Sequence, residues 1–215
     1  MKVVVVAHGE LDRRDAGQLV DADLVIAADG GALALERIDR RPDLLVGDLD
    51  SIDGALLDRL VAAGVRVERH PIDKDASDTE LGLDAAIASG ATSIVLIGAT
   101  RGDRLDHELA NLLLLADPAL AGRDVRAVHG ATTVRVAFAG AEIALGRPGD
   151  LVTLLPIGGD AGGVRTVGLR WELEGSTLVL GRSRGLSNEV VVTGASVGLE
   201  RGTLLVVETA RGEAS

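Results

Sequence analysis

The chain has 215 residues, enough for a large core in one or two domains, and its 47% apolar and 26% charged residues are those of an ordinary globular protein. A formal charge of −11 argues against a nucleic-acid backbone as partner, although a bound metal can reverse the local sign for a free nucleotide. The lack of cysteine excludes disulfides and thiolate metal sites, and the apolar opening before His8 is too short for a leader core or a membrane span, so a cytoplasmic protein without a membrane partner is expected.

Strand-like and helix-like patterns alternate over roughly the first 125 residues, the mark of an α/β layer fold. Val3–Ala7, Leu24–Ala28, Leu44–Val46, Val65–Glu68, Ile94–Ile97 and Val125–Val128 are short, rich in Val, Ile and Leu, and bounded by Gly or Asp, so they are predicted as buried strands. Helices are predicted over Ala32–Ile38, Ala55–Ala63, Asp78–Ala88 and Asp106–Ala116, the last packed on several sides because of its Leu112–Leu115 run. Near Gly122 the pattern changes. From Gly130 onward lie 16 of the 28 glycines, and short strand-like runs follow one another at Thr133–Phe138, Glu142–Leu145, Leu151–Leu154, Val164–Val167, Thr177–Leu180, Glu189–Thr193 and Thr203–Glu208. Such runs between Gly-rich turns predict a small β-sandwich. The boundary is placed at Ala121–Arg123, giving domains 1–122 and 123–215, and Arg211–Ser215 is expected to fray.

The stretch from Asp43 to Asp84 holds 11 acidic and 4 basic residues and so carries −7 of the total charge. Carboxylates gathered at strand ends repel one another and resist desolvation, a cost that a divalent cation removes; hard oxygen ligands beside phosphate are the signature of Mg²⁺. In an open parallel sheet ligands bind beyond the carboxyl ends of the strands. Four polar segments obey that rule: Asp29-Gly30-Gly31, then Asp48, Asp50 and Ser51, then Asp73, Lys74, Asp75 and Asp78, then Gly98 to Asp106. Taken singly, each has a plain structural reading. Asp-Gly-Gly is a turn, Asp50, Ser51, Asp75, Ser77 and Asp78 are helix caps, and Arg104 with Asp106 is a surface ion pair. Their coincidence on one edge points to metal-assisted phosphoryl or pyrophosphoryl transfer. The P-loop, dinucleotide and nucleophile-elbow motifs are all absent.

Five segments, in order, resemble the thiamine pyrophosphokinase family. They are Ile26-Ala-Ala-Asp-Gly-Gly-Ala32, Pro42-Asp-Leu-Leu-Val-Gly-Asp-Leu-Asp-Ser51, Lys74-Asp-Ala-Ser-Asp-Thr-Glu80, Gly98–Asn111 with its Arg-Leu-Asp-His core, and Gly185-Leu-Ser-Asn-Glu189. The resemblance implies a Rossmann-like layered α/β domain followed by a β-sandwich. It implies a homodimer that shares its sites between subunits and transfers the β,γ-pyrophosphoryl unit of ATP to the thiamine hydroxyl, releasing AMP. It also implies Mg²⁺ on Asp48 and Asp50, with Asp78 as third carboxylate. A nucleotide pocket is expected from Asp29, Gly30, Lys74, Arg104 and Asp106, and catalytic roles for Asp78, Arg104 and Asp106, with Asp78 or Asp106 taking the alcohol proton. Ser187 and Asn188 match the pair that meets the thiamine pyrimidine, and Trp171 falls where some members carry an aromatic beside the substrate; its plain alternative is a place in the β core. Two departures stand out: the Arg101-Gly-Asp103 turn is long, and His8-Gly9 replaces a common Asn-Gly, which puts His8 near the nucleotide. Competing readings are a pyrophosphokinase acting on another heterocyclic alcohol such as a pterin, a non-catalytic thiamine- or nucleotide-binding module, and a phosphohydrolase with Asp48 as nucleophile.

Overall fold

The computed structural model describes residues 1–212. Residues 213–215, most of the segment expected to fray, lie outside the described residues. The chain forms two compact units, Met1–Gly130 and Ala131–Ser215.

The first unit is built on six parallel strands: β1 (Lys2–Val6), β2 (Leu24–Ala28), β3 (Leu44–Gly47), β4 (Arg66–Arg69), β5 (Ser93–Ile97) and β6 (Asp124–His129). Their spatial order is β4-β3-β2-β1-β5-β6. Parallel strands covered on both faces read as unbroken apolar runs, and Val3–Val6 and Ile94–Ile97 are all fully buried. The edge strand β4, by contrast, reads Arg-Val-Glu-Arg and is largely exposed. Because β6 pairs with β5, the first unit runs to Gly130, past the boundary expected at 122/123.

Five helices connect these strands: α1 (Arg13–Gly17), α2 (Gly31–Glu36), α3 (Gly54–Ala62), α4 (Asp78–Ala88) and α5 (Leu105–Leu114). Helix α1 is not among the predicted helices, because five residues are too few to show an apolar period. It is one short turn fixed by a capping box between Asp12 and Asp15. Caps also start α3, where Asp53 accepts from the Leu56 N–H, and α4, where Ser77 accepts from the Glu80 N–H. Alternate strand residues (Val4, Val6, Ala27, Leu45, Val95) join Leu35, Leu56 and Leu60 in one core cluster. Helix α4 packs closely on the sheet because of Gly82: a β-carbon there would lie 2.8 Å from Val5 Cγ1. Helix α5 buries none of its own residues, contrary to the expectation of packing on several sides. Its leucines at 105, 109 and 113 form an i, i+4, i+8 stripe that is 68%, 54% and 54% exposed.

The second unit is all β: β7 (Thr132–Phe138), β8 (Glu142–Ala144), β9 (Leu151–Val167), β10 (Glu174–Leu178), β11 (Asn188–Glu189), β12 (Ser196–Gly198) and β13 (Arg201–Thr209). The two strands expected at Leu151–Leu154 and Val164–Val167 are halves of one 17-residue strand, β9. The Gly158-Gly159 pair between them looks like a turn in sequence. Here it bends an uninterrupted strand, with a register shift opposite Arg201–Thr203. The first half of β9 pairs with β13 and β11, the second half with β10 and β12, and β7 flanks β13. Ala161, Val164, Leu178, Val190, Val197 and Val206 close the core between these strands. No helix among the described residues is long and apolar enough to cross a membrane.

Candidate active site

Two strand ends and one helix start bring acidic groups together at the carboxyl edge of the first unit. Asp29 follows β2, Asp48 follows β3, and Asp78 is the first residue of α4. One carboxylate oxygen from each lies within 4.8 Å of the others. Asp29 is buried, at 6% exposure, and is held with φ of 42° while its N–H donates to the Val46 carbonyl at 2.8 Å. A non-glycine residue in that region is strained, so the neighbouring structure must impose it. Asp29 Oδ1 and Asp78 Oδ1 are buried and accept no hydrogen bond. Gly47 makes room for the cluster: a β-carbon on it would lie 2.8 Å from Asp78 Oδ1 and 3.1 Å from Asp29 Cβ.

Lys74 neutralises part of this charge. Its Nζ lies 2.8 Å from Asp48 Oδ2 and 3.0 Å from Asp78 Oδ1, the latter an ion-pair contact without hydrogen-bond geometry. The hydrogen bond from Lys74 holds the Asp48 carboxyl below its usual range. Burial acts to lower the Lys74 value, but the hydrogen bond to Asp48 and the negative charges of Asp48 and Asp78 together outweigh it and raise it. With three carboxylates and one ammonium the cluster keeps a formal charge of −2.

Asp50 lies outside this group. Leu49 adopts φ of 67° and turns its own side chain inward, 6% exposed, which leaves Asp50 exposed beside Ser51. The Asp50 N–H donates to Asp48 Oδ1 at 3.3 Å, so the residue after the turn supports the one before it.

Arg104 and Asp106 form the bidentate pair that their spacing suggested. Arg104 is the N-cap residue of α5, and its Nε and a terminal nitrogen donate to Asp106 at 2.9 and 2.6 Å. The Arg104 guanidinium holds the Asp106 carboxyl at about 2, although both side chains are well exposed. The long Arg101-Gly-Asp103 turn before them is held by Glu108 and Asn111, to which the sequence assigns no role. Glu108 accepts from the Gly102 N–H at 2.8 Å, Asn111 donates to the Ala99 carbonyl at 3.0 Å, and Arg101 takes φ of 62°. A lone Asn inside a leucine-rich helix was the available signal. His8 is exposed with its ring against Gly30, where a β-carbon would lie 2.5 Å from it.

The second unit holds its own group. Trp171 is 61% exposed and is not part of the β core. The Arg170 guanidinium lies 5.8 Å from the indole centroid. Asn188 is buried and accepts from the Trp171 N–H while donating to the Trp171 carbonyl. Ser187 is exposed with φ of 56°, and its N–H donates to Thr153 Oγ1 at 3.0 Å.

A parallel α/β unit with carboxylates and a lysine gathered at its strand ends, joined to an all-β unit presenting an exposed aromatic, defines a two-part α/β-plus-β enzyme. The chain belongs to the thiamin pyrophosphokinase family: residues 17–127 match the family's catalytic domain and residues 142–204 its vitamin B1 binding domain. The thiamine pyrophosphokinase of Bacillus subtilis is 24% identical over 191 residues, covering 88% of this chain and 85% of that protein. The fold is shared with the crystal structure of the B. subtilis thiamine pyrophosphokinase, at TM-score 0.85 and 24% identity over 99% of this chain and 100% of that one. It is also shared with the yeast thiamin pyrophosphokinase, at TM-score 0.80 and 17% identity over 97% of this chain and 86% of that one.

Proposed function

We propose that this chain transfers the pyrophosphoryl unit of ATP to the hydroxyl of thiamine, giving thiamine diphosphate and AMP. The observation that carries the reading is the family match over both units, joined to the Asp29–Asp48–Asp78 cluster at the sheet edge. In this reading the first unit is a Rossmann-like layered domain, supported by the reversal of strand order between β1 and β5. The second is a β-sandwich, supported by the way β9 supplies strand partners through both halves. A pterin-directed pyrophosphokinase and a non-catalytic binding module are disfavoured by the vitamin B1 binding match and by the intact carboxylates. A cytoplasmic location fits the acidic, cysteine-free composition.

The donor set suits Mg²⁺: three hard carboxylates, two of them with buried oxygens lacking hydrogen bonds, and a residual charge of −2. Asp29, Asp48 and Asp78 would hold the ion, which when bound screens phosphate charge and polarises phosphorus–oxygen bonds. The chain's own groups position the reactants. The thiamine hydroxyl oxygen attacks the β-phosphorus as its proton passes to Asp78 or to water, the bond from that phosphorus to the α–β bridging oxygen breaks, and AMP leaves with the electron pair. Lys74 and Arg104 are cations placed to meet phosphate oxygens. Asp106, held at about 2 by Arg104, is a weak proton acceptor and serves to fix the guanidinium. Separating the nucleotides formed from ATP and thiamine tests the reaction. AMP and thiamine diphosphate should appear together from the first turnover, whereas ADP with thiamine monophosphate would overturn pyrophosphoryl transfer.

Lysine 74 gives a test that needs no turnover. Lys74→Met should lower stability by about 1–3 kcal/mol in EDTA, because the carboxylates lose their internal counter-ion. Mg²⁺ at a hundredfold excess over its Kd should return about 2.7 kcal/mol. Urea unfolding under the two conditions measures both numbers, and a stability indifferent to Mg²⁺ would remove the cation assignment.

We further propose a homodimer in which the acceptor-side residues of one subunit serve the carboxylate cluster of its partner. The exposed leucine stripe of α5 is apolar surface of the kind a subunit contact covers. Mixing inactive Asp48→Asn and Trp171→Ala subunits at equal amounts, with proven exchange, should restore about a quarter of wild-type activity, since half the dimers are mixed and each carries one intact site. Failure to recover would show that each site is built within one chain.

A further inference from the structure

We infer that Asn188 is a positioning residue for thiamine binding: its amide sets the Trp171 indole and does not itself touch the substrate. The inference rests on the reading that Trp171 is the platform for a thiamine ring. Asn188 Oδ1 accepts from the backbone N–H of Trp171 at 3.1 Å and of Glu189 at 2.9 Å, and Nδ2 donates to the Trp171 carbonyl at 2.7 Å. The amide orientation is fixed by these partners, because a flipped group would set NH₂ against two N–H donors. The residue as a whole is only 9% exposed, which leaves little surface for a ligand.

The rest of the turn is tied down from the same side. The Arg170 N–H donates to the Glu189 carbonyl at 2.8 Å, and its guanidinium reaches Glu189 Oε1 at 3.2 Å. Leu169 bridges to Val190, and the Gly168 N–H donates to Glu172 at 2.7 Å. An exposed indole on a free turn would have to be ordered when a ligand arrived. Here the ordering is done in advance, which is how preorganisation strengthens binding. Arg170 lies over the ring, and Trp171 is still 61% exposed, surface on which an aromatic ligand can stack. Adjacent residues thus divide the work. Among the described residues the Ser187 hydroxyl makes no hydrogen bond, so it is the member of the pair available to a ligand, while Asn188 acts through Trp171.

The chain has one tryptophan, so intrinsic fluorescence reports on this turn alone. The experiment compares wild type, Asn188→Ala, Asn188→Asp and Ser187→Ala as full-length proteins, checked for folding by circular dichroism. In the ligand-free state Asn188→Ala should show lower tryptophan anisotropy and stronger acrylamide quenching. Asn188→Asp keeps the two acceptor contacts but loses the donor to the Trp171 carbonyl, so it should fall between, and it carries the test should the alanine variant not fold. In steady state the thiamine KM should rise about tenfold for Asn188→Ala, with the ATP KM and kcat within about threefold of wild type. Ser187→Ala should raise the thiamine KM without changing ligand-free fluorescence. Wild-type anisotropy and quenching in both Asn188 variants, alongside a raised thiamine KM, would make Asn188 a direct contact and overturn the inference. Absence of tryptophan quenching by thiamine in wild type would instead overturn the stacking reading on which it rests.

Discussion

Asp48→Asn and Asp78→Asn are each expected to lower turnover by about a thousandfold, some 4 kcal/mol of transition-state stabilisation, with the fold retained. Both remove a charge from a cluster whose oxygens lie within 4.8 Å and whose one cation, Lys74, bonds to Asp48. Asp50→Asn should have a much smaller effect, because Asp50 is exposed and outside the trio. The comparison separates the set gathered in space from the Asp48–Asp50 pair adjacent in sequence. Equal losses in Asp48→Asn and Asp50→Asn would restore the sequence pair as the cation site, and near-normal turnover in Asp48→Asn and Asp78→Asn would remove the trio. Stability against pH adds a second readout. The folded-state value of Asp48 is depressed by Lys74, so its contribution is fully present above the ordinary carboxylate range and is lost as pH falls through the depressed value. Wild type should therefore lose more stability than Asp48→Asn on acidification below about pH 4.

The sheet of the first unit was legible because its central strands are fully buried and so almost wholly apolar, as in Val3–Val6 and Ile94–Ile97. The acidic edge was legible for a related reason: Asp29 and Asp48 sit just after such runs. The identity of the carboxylate trio was less so, because one backbone angle at Leu49 decides that Asp50 turns away, and no composition signal reports that angle. Helix α1 is a single capped turn with too few residues for a period. Strand β9 was split because paired glycines read as turns unless the partner strands that carry the chain through them are known. The Leu112–Leu115 run predicts a helix packed on several sides, yet α5 buries none of its residues, since a run of leucines does not by itself say which faces meet neighbours. The Asn188–Trp171 clasp joins residues separated by 17 positions and depends on strand pairing, so only the fold reveals it.

Gly47→Ala is the corresponding test of how the backbone supports the site. Gly47 is the last residue of β3, pairs with Arg69 on β4, and accepts from the His70 N–H at 2.8 Å. Its φ of 139° is open to glycine and strained for any L side chain. An added β-carbon would also meet Asp78 Oδ1 at 2.8 Å and Asp29 Cβ at 3.1 Å, contacts that cannot persist without movement. Strain of this kind costs about 1–3 kcal/mol. The movement falls on two of the three carboxylates, and displacing catalytic groups by about 1 Å can cost about a hundredfold in rate. We therefore expect Gly47→Ala to be destabilised by that amount and slowed about a hundredfold, with weakened Mg²⁺ stabilisation in urea titrations. Gly54→Ala is the matched control. Gly54 opens α3, has no atom within 4 Å of an added β-carbon, and should gain about 0.4–1 kcal/mol with turnover unchanged. If Gly47→Ala behaved like Gly54→Ala, the carboxylates could not be packed against that glycine, and the geometry argued for the cluster would fall.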